Sequence, residues 1–123
     1  MEKYLVVSAG AALGGAARYW MSDYVYRIIP LIFPLGTLAV NFTGSLLLGF
    51  IIFFLDEKEL LSVYMRLFLT IGFCGGFTTF STFSFETFSL FRSSQHLLAM
   101  LNIFLNLVFT LAGIYAGFVL SKL

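Results

Sequence analysis

The run Thr70-Ile-Gly-Phe-Cys-Gly-Gly-Phe-Thr-Thr-Phe-Ser-Thr-Phe-Ser-Phe-Glu86 decides how the chain is read. It is apolar enough to enter a bilayer, yet it carries Gly75-Gly76, six hydroxyl groups and five phenylalanines. Helix-breaking residues at membrane depth are tolerated only where protein or a wet cavity satisfies the freed backbone. The stretch therefore lines a path or holds an ion. Residues 63–74 amount to about 18 Å of helix and residues 79–91 to about 20 Å, each short of a hydrocarbon core of roughly 30 Å. Joined across Gly75-Gly76 they reach across it. A helix broken at the two glycines is the economical expectation, with freed carbonyls turned toward donors, water or a cation.

The rest of the chain suits such a segment. Of 123 residues, 60% are hydrophobic and 11% charged, against roughly 25% charged in an average soluble domain. The mean hydropathy is +0.99. Residues 28–55, 67–85 and 93–121 contain no Asp, Glu, Lys or Arg. Each is long enough for a membrane helix of about 20 residues. Residues 4–17 form a shorter run, which reaches that length if Arg18 extends to the interface. Four spans are expected, at 4–21, 33–55, 63–91 and 97–120, in one all-α domain covering 1–123. Pro30 and Pro34 hold Ile29 and Phe33 extended before the second span, and Asp56-Glu57-Lys58-Glu59 and Arg92-Ser93-Ser94-Gln95 form polar turns. A signal peptide at the first run is the rival reading, but no polar cleavage region follows Ala17.

Four spans put both termini on one side. That side holds Lys3, Lys58, Arg66 and Lys122, and the other holds Arg18, Arg27 and Arg92. A bias this slight lets the chain insert both ways. An antiparallel homodimer with its two-fold axis in the membrane plane is then the natural assembly. Gly10-xxx-Gly14 and Gly113-xxx-Gly117 let neighbouring backbones approach closely.

In a helix Thr79, Thr82 and Glu86 share one face, with Thr78 and Ser81 beside them, and Phe80 and Phe83 occupy an adjoining face. Two further polar stripes follow the same period: Thr37, Asn41 and Ser45, and Asn102, Asn106 and Thr110. An unpaired amide in hydrocarbon costs several kcal/mol, so these stripes face protein, water or substrate. Glu86 is the one carboxylate inside a span and lies late in it. A cation carrier would want one near the midplane. Hydroxyls, amides and the electropositive edges of phenylalanine rings suit a small, hard anion better. Cys74 stands alone and reads as a small buried hydrophobe. No Ser/His/Asp set, metal cluster or phosphate loop occurs, so an enzyme is not expected.

The run from Gly72 to Ser84, with Gly36-Thr-Leu-Ala-Val-Asn-Phe-Thr-Gly44 and Gly14-Gly-Ala-Ala-Arg-Tyr19, resembles the Fluc fluoride channels, also called the CrcB family. The resemblance covers nearly the whole chain. It implies an antiparallel homodimer with two pores in a prokaryotic plasma membrane, passive and selective export of fluoride, and a central structural sodium ion. Carried over by motif, Phe80 and Phe83 would be the pore-facing rings and Asn41 the amide reaching toward them. Ser81, Thr82 and Ser84 would belong to a hydroxyl track, joined by Thr110. Arg18 would draw anions into a vestibule, and Glu86 would sit near a pore end. Gly75 and Thr78 would offer backbone carbonyls to sodium. A small proton-coupled multidrug exporter is the alternative. It would need a carboxylate in the first span, and none lies between Glu2 and Asp23.

Overall fold

A computed structural model describes all residues, 1–123, and it is helical throughout, with no strands. Helix α1 runs Glu2–Ile28. Its 27 residues extend about 40 Å, well beyond the expected 4–21. The run stops where Pro30 requires it: Ile29 is extended, at φ −127° and ψ 83°. Helix α2 begins at Leu35, directly after Pro34, and continues to Asp56. Its last turn, Ile51–Asp56, widens to π-helical geometry, and Glu57 N–H reaches back five residues to Ile52 C=O at 3.0 Å.

Helix α3 starts at Val63, capped by the Ser62 hydroxyl, which accepts from Met65 N–H at 3.2 Å. One α-helical turn, Val63–Leu67, passes into a π-helical stretch, Phe68–Cys74, and then a final turn, Gly75–Phe77. Helix α4 is Phe80–Arg92 and α5 is His96–Ser121. Three helical stretches are long and apolar enough to cross a membrane: Leu35–Asp56, Val63–Arg92 and His96–Ser121.

The non-helical residues between α3 and α4 are Thr78 (ψ 159°) and Thr79 (φ −150°, ψ 117°). The expected site, Gly75-Gly76, is itself helical. These glycines serve another purpose. A Cβ on Gly76 would lie 2.6 Å from Ala11 C=O on α1, and one on Gly72 would lie 2.9 Å from Val7 C=O. Across the same seam, a Cβ on Gly10 would meet Phe68 C=O at 2.4 Å and one on Gly14 would meet Phe73 C=O at 2.2 Å. Helices α1 and α3 therefore touch backbone to backbone through glycines from both sides.

The α2–α5 contact, the most extensive in the molecule, is built alike. Gly113 and Gly117 of α5 lie against Phe42 C=O and Leu46 C=O, and Gly49 of α2 lies against Ile114 C=O. The expected packing role of Gly10, Gly14, Gly113 and Gly117 is thus met, with Gly49, Gly72 and Gly76 as partners. Cys74 is buried and free. The core is small, and most large apolar side chains face outward, as a lipid-facing surface requires.

Candidate functional site

The site is built around the two extended residues. In an uninterrupted helix Thr79 N–H would bond to Gly75 C=O, and Thr82 N–H to Thr78 C=O. Neither does. Thr79 N–H donates to Asn41 Oδ1 at 2.8 Å, and Thr82 N–H donates to the Thr79 hydroxyl at 3.1 Å, an N-cap for α4. Two side-chain captures thus withhold from Gly75 and Thr78 the amides a continuous helix would give their carbonyls. Gly75 is also exposed: a Cβ there would meet only Thr70 C=O, at 3.9 Å. The Thr78 hydroxyl points back along α3 and donates to Cys74 C=O at 2.9 Å.

Asn41 is the centre of a buried network joining α2, α4 and α5. Besides accepting from Thr79 N–H, it donates from Nδ2 to Thr79 C=O at 3.1 Å and to Asn106 Oδ1 at 3.1 Å. Asn106 Nδ2 donates to Asn102 C=O and to Asn102 Oδ1, both at 2.9 Å. Asn102, with no exposed surface, donates to the Thr87 hydroxyl at 2.9 Å, and Thr87 donates to Phe83 C=O at 2.8 Å. The two amide stripes thus meet each other and α4. Burial of three amides is stabilised because every one finds partners.

Two hollows flank this network. The larger is an open-sided groove of about 730 Å³ between α2, α4 and α5. Asn41, Thr78, Phe80, Phe83, Ser84, Asn106 and Thr110 all line it. The Phe80 and Phe83 ring centroids are 5.5 Å apart, and Phe80 is 79% exposed. Ser84 and Thr110 turn back to their own helices, donating to Phe80 C=O at 3.0 Å and to Asn106 C=O at 2.6 Å. The second hollow, about 290 Å³, is lined by Arg18, Tyr19, Ser22, Thr37, Thr79 and Thr82, among others. Thr79 stands in the wall common to both.

Two expected groups are therefore separated. The rings, Asn41, Ser84 and Thr110 lie on one side of the Thr79 wall, with Arg18 and Thr82 on the other. Ser81 lines neither hollow. It is exposed and lies 3.5 Å from the Thr79 hydroxyl. Glu86 accepts from the Thr37 hydroxyl at 2.8 Å, while its other oxygen is buried without a partner. Thr37, Thr87, Asn102 and Asn106 join the expected site residues here, and the i, i+4 stripes through Asn41 and Thr110 contain three of them.

The chain is similar to known proteins over nearly its whole length. The family profile described as CrcB-like protein, Camphor Resistance (CrcB), matches residues 5–118. The chain belongs to the CrcB family. A protein of Pyrococcus furiosus, named fluoride-specific ion channel FluC, is 44% identical over 99% of this chain and 98% of its own length. One from Pelobacter propionicus with the same name is 41% identical over 99% and 95%. Another from Coxiella burnetii is 40% identical over 96% of each. These CrcB relatives are named as channels, not enzymes. With three helices able to cross a bilayer, this CrcB chain is a multi-pass membrane protein.

Proposed function

We propose that the chain is the protomer of a fluoride-selective channel that lets the anion leave the cell down its electrochemical gradient. The observation that carries this is its likeness, over nearly full length, to relatives named as fluoride-specific channels. The groove chemistry supports it. Hydroxyls, amides and four phenylalanine rings, Phe80 and Phe83 among them, line the groove, and no carboxylate does. Donors and ring edges replace hydration around a small anion without fixing it as a buried cation would. Arg18, in the lining of the smaller hollow, supplies the attracting charge.

The groove is open along one side and exposes the Phe80 ring. A second, inverted copy would close it, giving two equivalent pores in a prokaryotic plasma membrane. In this reading α1 is a fourth span, and 63–92 is one span broken at Thr78-Thr79. The near-even charge on the two sides supports the inverted pairing. Sodium fits the same axis. Gly75 and Thr78 would hold it through backbone carbonyls whose helical donors are taken by Asn41 and Thr79. Neutral carbonyls at a half-helix end suit a hard alkali cation, which would tie the two copies together.

Purified protein in liposomes tests the function. Fluoride should leave under an imposed potential and chloride should not. Phe80→Ile and Phe83→Ile should each slow fluoride efflux by at least about tenfold if the rings carry transition-state contacts. Equal efflux of both halides would refute the reading.

A further inference from the structure

The polarity of the amide network is fixed by backbone groups whose sense is unambiguous. Thr79 N–H can only donate, so it holds Asn41 with Oδ1 toward it. Thr79 C=O can only accept, so it takes one Asn41 N–H, and Asn106 Oδ1 takes the other. Asn102 C=O can only accept, so it turns both Asn106 N–H bonds away from Asn41. A side-chain amide has two N–H donors. Both of those on Asn41 are spent, and both of those on Asn106 are spent. Asn106 therefore presents an oxygen to Asn41, in the place an anion would occupy to receive that bond.

Resting on the channel reading above, we propose that Asn106 is a built-in competitor for the Asn41 donor and that Asn102 is the positioning residue holding it there. An anion in the groove takes the Asn41 N–H only by displacing the Asn106 carboxamide oxygen. The exchange leaves that oxygen short of a partner, so the anion is held weakly. Conduction needs such a balance, since an ion must bind well enough to enter and weakly enough to leave. Asn102 enforces it from outside the groove. Fully buried and tied to Thr87 on α4, it anchors the Asn106 amide through its own Oδ1 and C=O.

The test is fluoride efflux from liposomes as a function of fluoride concentration, for wild type, Asn106→Leu and Asn102→Leu. Freeing the Asn41 donor should lower the half-saturating fluoride about tenfold in Asn106→Leu, the effect of one released hydrogen bond, with a smaller shift in Asn102→Leu. A merely structural role would reduce maximal flux and leave half-saturation where it was, and that result would overturn the proposal. Wild-type protein provides an arm that needs no variant. With ¹⁵N-labelled asparagine, sodium fluoride should move the side-chain resonances of Asn41 and Asn106 together, and sodium chloride should move neither. Movement of Asn41 alone, or of neither, would also overturn it. Failure of the channel reading looks different: wild-type liposomes would then release no fluoride at all.

Discussion

Asn41 shows how one side chain can set backbone conformation. Its amide replaces the helical partner of Thr79 N–H and also takes Thr79 C=O, so an extended residue stays satisfied inside a membrane protein. Asn41→Leu should therefore lower thermal stability by about 1–3 kcal/mol, the cost of stranding buried backbone groups, and abolish fluoride efflux as well. Thr37 is a second such point. Its hydroxyl is the sole hydrogen-bond partner of the Glu86 carboxyl group, whose other oxygen is buried and unpaired. Thr37→Val should destabilise the protein by about 1–3 kcal/mol in thermal denaturation, and Thr37→Ser should restore most of it. Asn41 was legible as a site residue from its place within an apolar span. Its partners were not, because residue spacing shows which side chains share a face but not what sits across the gap. The Asn41–Asn106 bond joins residues far apart in sequence, and only the fold brings them together.

At the scale of elements, the interruption before α4 depends on a cap. Thr79 accepts from Thr82 N–H and also donates to the Thr82 hydroxyl at 3.0 Å. Thr79→Val should cost about 1 kcal/mol of stability, readable as a fall in melting temperature, while Thr79→Ser retains the cap. The helix seams are less forgiving. Gly14→Ala places a methyl 2.2 Å from Phe73 C=O, whereas Gly15→Ala meets nothing within 4 Å. The first should abolish recovery of folded protein and the second should leave it unchanged, as size-exclusion yield will show. Long apolar runs and paired small residues made these elements readable in advance. The place of the interruption was not, because Gly75-Gly76 carried two possible meanings. Glycine permits a break, but it also permits close approach. Here the seam with α1 uses Gly76, and the interruption falls to two threonines whose amide and hydroxyl have side-chain partners.

For the whole molecule, the open groove and the weak charge asymmetry make a testable pair. Adding two lysines at the C-terminus pins one orientation, and adding two in the 29–34 loop pins the other. Each pinned form alone should give no fluoride efflux. Coexpression of the two should restore it, and activity from either form alone would exclude an antiparallel pair. The sequence alone carried the helical class and the membrane setting because hydropathy is a sum over many residues and tolerates local error. Separation of the pore candidates into two hollows was not readable, since it follows from how α2 and α5 press against α4.

The π-helical stretch Phe68–Cys74 has a consequence for the rod that contains it. A widened turn holds an extra residue per circuit, so it acts as a phase shifter between the start of α3 and everything beyond. Forcing this stretch into ordinary winding at unchanged length would swing the downstream glycines and threonines around the rod axis by about 100°, whereas deleting one residue from it would relax the ladder and keep them in place. In the forced winding the contacts beyond it fail. Gly76 would then miss Ala11, and Thr79 would lose its line to Asn41. The irregular winding works as a timing mark cut into the helix.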